Sequence, residues 1–154
     1  MKNFSFDWAF LFQWIVATSI GWLLGKLVLP WLGLLAAGVF ASAFQTLILR
    51  GRIPNSLLWV QASLVGWLVS YGLVVVLLLG EADPLTGIAV GLAVGLAQWL
   101  VLRRTARWAG WWVLFSVMGW VTGLVLVPGL LSTGALAGLI TGTALGILVQ
   151  DEKA

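Results

Sequence analysis

The sequence contains no cysteine and no histidine, and only 8% of its 154 residues are charged. The absence of cysteine excludes disulfide bonds, a thiol nucleophile and iron–sulfur clusters. The absence of histidine removes the most common general base and the usual ligand of zinc and haem. Glu81 and Asp83 share one short loop, where a solvated turn explains an acidic pair. We therefore expect neither an enzyme nor a metal site.

The charge is too sparse to cover the surface of a soluble domain. Soluble domains are about 25% charged, whereas this chain is 62% hydrophobic, with a mean hydropathy of +1.10. That balance predicts an integral membrane protein. The net charge of +3 comes mostly from basic residues in short loops between apolar segments. Membrane topology explains such residues without nucleic acid as a partner.

Several apolar segments are long enough to cross about 30 Å of hydrocarbon as helices. Prolines or charges separate them, and Pro30 and Lys26 mark the weakest division. The segment after Lys2 lacks a clear cleavage site and is interpreted as a retained span. We predict an all-α fold with a single transmembrane domain over residues 1–154. Its six spans are residues 8–29, 31–49, 57–79, 85–102, 108–127 and 133–149.

The basic residues indicate the orientation of these spans. With six crossings, every basic residue except Lys26 falls on one side of the membrane, namely Lys2, Arg50, Arg52, Arg103, Arg104, Arg107 and Lys153. Because cytoplasmic loops are enriched in Lys and Arg, both termini are predicted to be cytoplasmic. The expected location is a bacterial inner membrane or a photosynthetic membrane.

An internal repeat links the two basic loops to the spans around them. Residues 36–70 align with 89–123 without gaps, and the informative identities are Gln45/Gln98, Arg50/Arg103, Trp59/Trp112, Ser63/Ser116 and Trp67/Trp120. The odd-numbered spans share the template Trp-x3-(Ser/Thr)-x2-Gly-Trp-x2-small. Its third copy is Trp14, Thr18, Gly21, Trp22 and Gly25. On a helix this spacing places the first Trp, the hydroxyl and the small residues on one stripe.

The even-numbered spans share a second template, built on small residues. Gly38, Ser42, Gln45 and Leu49 match Gly91, Gly95, Gln98 and Leu102, and in the last span they match Gly138, Gly142, Leu145 and Val149. The third copy therefore lacks the glutamine. Stripes of small residues allow close helix packing in membranes. We predict a bundle of three hairpin repeats with approximate threefold pseudosymmetry, closed by contact between the first and last spans.

The candidate ligand-binding residues are polar or aromatic side chains inside the spans, namely Gln45, Gln98, Ser63, Ser116, Trp67 and Trp120. These amides, hydroxyls and indoles suit a lipid, a carotenoid, a chlorophyll-type pigment or a quinone. The alternative is interhelical hydrogen bonding, at about 0.6–2 kcal/mol per bond, with the indoles filling gaps between helices. Another set of tryptophans lies near span ends and predicts an interfacial belt: Trp8, Trp31, Trp59, Trp108, Trp111 and Trp112.

The stretch GLAVGLAQWLVLRR followed by WAGWWVLFSVMGW resembles bacterial Gly/Trp-rich, repeat-containing polytopic membrane proteins of unassigned function. The resemblance covers spans two to six. It implies a repeat bundle, and it implies neither a reaction nor catalytic residues.

The expected function is that of a non-enzymatic structural or accessory membrane subunit. Its expected partners are membrane lipids, other membrane proteins or further copies of itself, and it would hold lipid or pigment in grooves between helices. Two alternatives stay open at this point. One is a small-solute channel or carrier, since repeats often enclose a site in the middle of the membrane. The other is a carrier of a hydrophobic cofactor.

Overall fold

A computed structural model describes residues 6–150, which form six α-helices. They are α1 (Trp8–Val28), α2 (Gly33–Leu49), α3 (Leu57–Val76), α4 (Pro84–Leu102), α5 (Trp111–Val121) and α6 (Ser132–Gln150). A 3-10 turn, Pro30–Leu32, precedes α2, and a π-helical segment, Thr122–Leu126, continues α5. Five of the helices are long and apolar enough to cross a membrane, and α5 is shorter. The all-α, multi-pass membrane prediction is confirmed.

Capping side chains and local backbone conformation determine the helix ends more closely than the limits of the apolar runs do. Asp7 caps α1, because its carboxylate accepts the backbone N–H of Phe10 at 2.9 Å. Asp83 caps α4 in the same way, and Pro84 occupies the first turn, where a missing N–H is harmless. α3 ends at Val76, three residues before the predicted end, because Leu78 adopts a left-handed conformation with φ of 53°.

The start of α5 differs from the predicted boundary by three residues, as much as the end of α3 does. The apolar run begins at residue 108, but the helix begins at Trp111. Residues 103–110 form turns instead. Ala106 and Ala109 in these turns are 4% and 2% exposed and cover one end of the core. Hydropathy cannot separate the uncharged end of this loop, residues 108–110, from the helix that follows it.

The helices form a closed ring in which each packs against the next along the chain. α1 also packs against α6, which closes the ring as predicted. Within residues 6–150, helices that are not neighbours in the ring do not bring their backbones close together, and they meet only through side chains. Glycines bring neighbouring backbones together. A Cβ atom added at Gly25 would lie 2.2 Å from the Cα of Ala37 in α2, and one added at Gly91 would lie 2.3 Å from the Cα of Val117 in α5.

Each end of the ring has its own charges. The basic end carries Arg50, Arg52, Arg103, Arg104 and Arg107, and Arg52 donates to Asp7 at 2.8 Å across 45 residues. The opposite end carries Lys26, Glu81 and Asp83, and Lys26 forms an ion pair with Glu81. The first helix therefore starts at the basic end. Lys2 and Lys153, also predicted there, lie outside the described residues.

The Asp7–Arg52 pair leads to a prediction about pH. The backbone N–H of Phe10 and the Arg52 guanidinium lower the pKa of Asp7 below the ordinary aspartate value of 3.8. Its stabilisation is therefore present above pH 3.8 and is lost as pH falls through the lower, folded pKa. Both side chains are about one-third exposed, at 35% and 33%, so the expected effect on the melting temperature is only about 1–2 °C. Melting curves between pH 2 and 7 for wild type and Asp7→Asn measure it. The prediction would be contradicted if the melting temperatures of wild type and Asp7→Asn changed with pH in the same way.

Candidate functional site

Two layers of tryptophan fill the ring, and each takes one residue from α1, α3 and α5. The opposite-end layer consists of Trp22, Trp67 and Trp120, which are at most 5% exposed. Their ring centroids lie 4.9 Å apart for Trp67–Trp120, 5.4 Å for Trp22–Trp120 and 6.5 Å for Trp22–Trp67. Three mutual contacts of this kind close the middle of the ring at that level.

The basic-end layer consists of Trp14, Trp59 and Trp112. The centroid distance is 5.8 Å for Trp14–Trp59 and 5.5 Å for Trp59–Trp112, both edge-to-face. Aromatic pairs favour this geometry because the positive ring edge meets the negative ring face. Buried leucines, including Leu49, Leu102 and Leu145, join the same cluster.

The prediction of an interfacial belt is wrong for Trp59 and Trp112. They lie near helix ends, yet they are 0% and 1% exposed, because their indole N–H groups bond to glutamines inside the ring. The other four belt residues, Trp8, Trp31, Trp108 and Trp111, are 53–75% exposed. Their exposure agrees with a position at the membrane interface.

Gln45 connects three helices through its amide. The indole N–H of Trp59 donates to Gln45 Oε1 at 3.4 Å, and Gln45 Nε2 donates to Thr18 Oγ1 at 3.0 Å. The Thr18 hydroxyl then donates to the backbone carbonyl of Trp14 at 2.8 Å. The side chain of α2 thus binds the hydroxyl of α1 and the indole of α3.

Gln98 repeats this arrangement one hairpin later. Trp112 Nε1 donates to Gln98 Oε1 at 3.1 Å, and Gln98 Nε2 donates to Ser63 Oγ at 2.8 Å. Both glutamines are buried, at 6% and 4% exposure. Each therefore meets the hydrogen-bonding need of a buried amide by joining the preceding odd-numbered helix to the following one.

The third position has Leu145 in place of a glutamine. Trp14 Nε1 donates instead to Thr141 Oγ1 at 3.1 Å, one turn earlier on α6, and Thr141 donates to the carbonyl of Ala137. Ser116 is the aligned equivalent of Thr18 and Ser63, which each accept a hydrogen bond from a glutamine Nε2. Because the third glutamine is missing, no amide donates to Ser116. Its Oγ is the only buried side-chain N or O atom without a hydrogen-bond partner among residues 6–150.

A small cavity lies between the two tryptophan layers. It has a volume of about 10 Å³, and its polar lining residues are Ser42, Gln45, Gln98, Ser116 and Thr141. That volume suffices for roughly one water molecule. A pigment, a quinone or a lipid chain does not fit inside this ring as it stands, so such a ligand would have to bind on the outer surface.

The structure brings the predicted site residues together. Gln45, Gln98, Ser116, Trp67 and Trp120 line the cavity, and Ser63 bonds to Gln98 behind it. Cofactor binding by these six residues stays a prediction. Sequence reasoning missed Thr141 as the partner of Trp14. The signal was a hydroxyl one turn before the position where the third glutamine is missing.

The difference between Ser63 and Ser116 predicts opposite outcomes for the same substitution. Ser63→Ala removes the acceptor of a buried amide, and we expect it to lower the free energy of unfolding by about 1 kcal/mol. Ser116→Ala removes a hydroxyl that has no partner within residues 6–150, and we expect it to be neutral or slightly stabilising. SDS-titrated unfolding in mixed micelles, followed by circular dichroism, measures both. Equal losses would contradict the assigned hydrogen bonds.

Comparison of the chain with known protein families, characterised proteins and solved structures finds no match. The resemblance to Gly/Trp-rich bacterial membrane proteins accordingly stays a prediction. Function has to be argued from the interior and the outer surface of the helical ring.

Proposed function

We propose that the protein is a non-enzymatic structural or accessory subunit of a membrane, and that it acts through its outer surface. The observation that carries this proposal is the closed interior. The amides of Gln45 and Gln98 bond to side chains of the ring itself. The space between the tryptophan layers is about 10 Å³. Such an interior leaves no site for a substrate, so any partner must bind outside the ring.

The proposal treats all six helices as spans of three hairpin repeats with approximate threefold pseudosymmetry. Its support is the common position of the template tryptophans in both layers. The fifth crossing comprises the 11-residue α5 and the five-residue π segment. At 1.5 Å per residue this is about 24 Å, so the bilayer would have to thin locally. We propose a bacterial inner or photosynthetic membrane, with the basic end cytoplasmic.

Outward-facing glutamines support a partner on the outer surface. Gln61 of α3 and Gln13 of α1 are exposed, and neither side chain has a hydrogen-bond partner within residues 6–150. Gln61 shares a helical stripe with Val65, Leu68 and Gly72, all of them exposed. An amide facing hydrocarbon without a partner is unfavourable, and a neighbouring transmembrane helix would satisfy it. Another membrane protein or a second copy of this chain has the required chemistry.

The lack of cysteine makes a direct test possible, because each introduced cysteine is the only thiol. Gln61→Cys is compared with Leu92→Cys, which is exposed at 42% on another helix. After reaction with a thiol-linked photocrosslinker in native membranes, the first variant is expected to give one discrete adduct and the second none. Native mass spectrometry in mild detergent then gives the stoichiometry. A monomer with no adduct at Gln61 would refute the accessory role.

A small-solute channel or carrier is the second candidate function. In its favour, the opposite end has a recess of about 310 Å³, and its lining includes Trp22, Lys26 and Glu81. The tryptophan layers beyond the recess would have to open. Solute flux in liposomes that Gln45→Leu and Gln98→Leu abolish would establish transport. A visible absorption spectrum of the same preparation tests the third alternative, a bound carotenoid, chlorin or quinone.

A further inference from the structure

The loop between α4 and α5 forms a basic recess at the basic end of the ring. The recess has a volume of about 380 Å³, and its lining includes Trp99, Arg103, Arg104, Thr105 and Arg107. Two of the guanidinium groups lie against indole rings, Arg103 at 5.1 Å from Trp99 and Arg107 at 5.8 Å from Trp108. Stacking of this kind limits the freedom of an arginine side chain, and at Arg103 it leaves the N–H edge of the guanidinium able to bind an anion.

The charge of this recess differs from that of the equivalent loop in the first repeat. There, Arg52 is paired with the carboxylate of Asp7 at 2.8 Å. Neither Arg103 nor Arg104 forms an ion pair with an acidic side chain in the described part of the chain. The acidic residues described elsewhere, Glu81 and Asp83, lie at the opposite end. Two cationic groups in one recess therefore lack an anionic partner within residues 6–150.

The neighbouring side chains indicate the depth of the recess in the membrane. Trp108 and Trp111 are 56% and 53% exposed, and exposed indoles at helix ends prefer the level of the lipid headgroups. Leu96 and Leu100 lie one turn apart on α4, which ends at Leu102 just before the recess, and both are exposed. They form an apolar helix face that leads from the recess into the hydrocarbon. A headgroup at the arginines would thus lie above an apolar surface suited to its acyl chains.

We propose that this recess binds the phosphate group of an anionic phospholipid. Guanidinium groups recognise phosphate through paired N–H donors. Basic pockets at the ends of transmembrane helices bind anionic headgroups by the same chemistry. The recess belongs to the outer rim of the ring, so the proposal does not depend on the accessory role. A free phosphate has the same recognition chemistry, and the exposed leucine surface favours the lipid.

The experiment uses the full chain in an uncharged detergent, titrated with phosphatidylglycerol and examined by native mass spectrometry. Arg103→Gln and Arg104→Gln are compared with Arg50→Gln. Arg50 is the aligned equivalent of Arg103, and its removal takes the same charge from the same end. Each recess variant is expected to bind phosphatidylglycerol about fivefold more weakly than wild type. Arg50→Gln is expected to bind as wild type does.

Two further arms identify the source of the phosphate. Phosphatidylcholine, which has a phosphate but no net charge, is expected to bind much more weakly than phosphatidylglycerol. Inorganic phosphate at millimolar concentration is expected to leave the bound phosphatidylglycerol in place. Equal weakening by Arg50→Gln and Arg103→Gln would overturn the proposal, because it would indicate nonspecific charge attraction. Displacement of the lipid by inorganic phosphate would overturn the assignment to a lipid.

Discussion

Trp112→Ala is expected to lower the free energy of unfolding by about 3 kcal/mol, the lower end of the range for large aromatic truncations in protein cores. The side chain is 1% exposed and contacts Trp59 with a centroid distance of 5.5 Å. Its loss leaves a cavity in the basic-end layer and removes the indole N–H that donates to Gln98 Oε1. The lower end of the range applies because the bilayer supplies no hydrophobic driving force between helices, so that packing and the hydrogen bond account for the effect.

A nearby tryptophan provides the control. Trp108 is 56% exposed at the same end of the ring, and Trp108→Ala is expected to change the free energy of unfolding by less than about 0.5 kcal/mol. SDS-titrated unfolding in mixed micelles, followed by circular dichroism, compares the two variants. Similar losses in both would show that Trp112 does not fill the core in the membrane-embedded protein.

Gly25→Ala is the second substitution with a large expected effect. The new Cβ would lie 2.2 Å from both the Cα and the N of Ala37, and 2.4 Å from the carbonyl carbon of Ala36. All three are backbone atoms of α2, so no rotamer change can relieve the overlap and the two helices must separate. Overpacking of this kind costs about 1–3 kcal/mol, and sometimes more. We expect a loss in the free energy of unfolding at the upper end of that range, measured by the same SDS titration.

A graded series keeps this prediction testable even if Gly25→Ala fails to fold. A Cβ at Gly119 would lie 3.2 Å from Thr141 Cγ2, the end of a side chain, whereas one at Gly72 would meet nothing within 4 Å. The expected order of destabilisation is Gly25→Ala, then Gly119→Ala, with Gly72→Ala neutral or stabilising because alanine favours the helix. In the monomeric protein, a loss at Gly72 as large as that at Gly119 would contradict the assigned helix contacts.

Much of the fold could be predicted from the sequence because long apolar runs and their breaks have few alternatives in a membrane. When the π-helical segment is counted with α5, the helix bounds agree with the predicted spans to within three residues, with the largest differences at the end of α3 and the start of α5. The contact of α1 with α6 was also predicted, from the third copies of the two templates. Hydropathy nevertheless placed the start of α5 inside the loop that precedes it, because residues 108–110 at the end of that loop carry no charge and continue the apolar run.

What the sequence by itself determined is therefore an all-helical membrane protein with recurring Trp, Gly, hydroxyl and Gln positions. Only the tertiary structure decided which of these positions face inward. Trp112 is buried and the adjacent Trp111 is 53% exposed, although both are aromatic residues at the start of one helix. In water, an exposed face must be polar, and periodicity reveals it. In a bilayer the lipid-facing and interior faces are both apolar, so hydropathy carries little information about which side chain packs against protein. That choice of face decides the pairing of Gln98 with Ser63 and leaves Ser116 without a partner among residues 6–150.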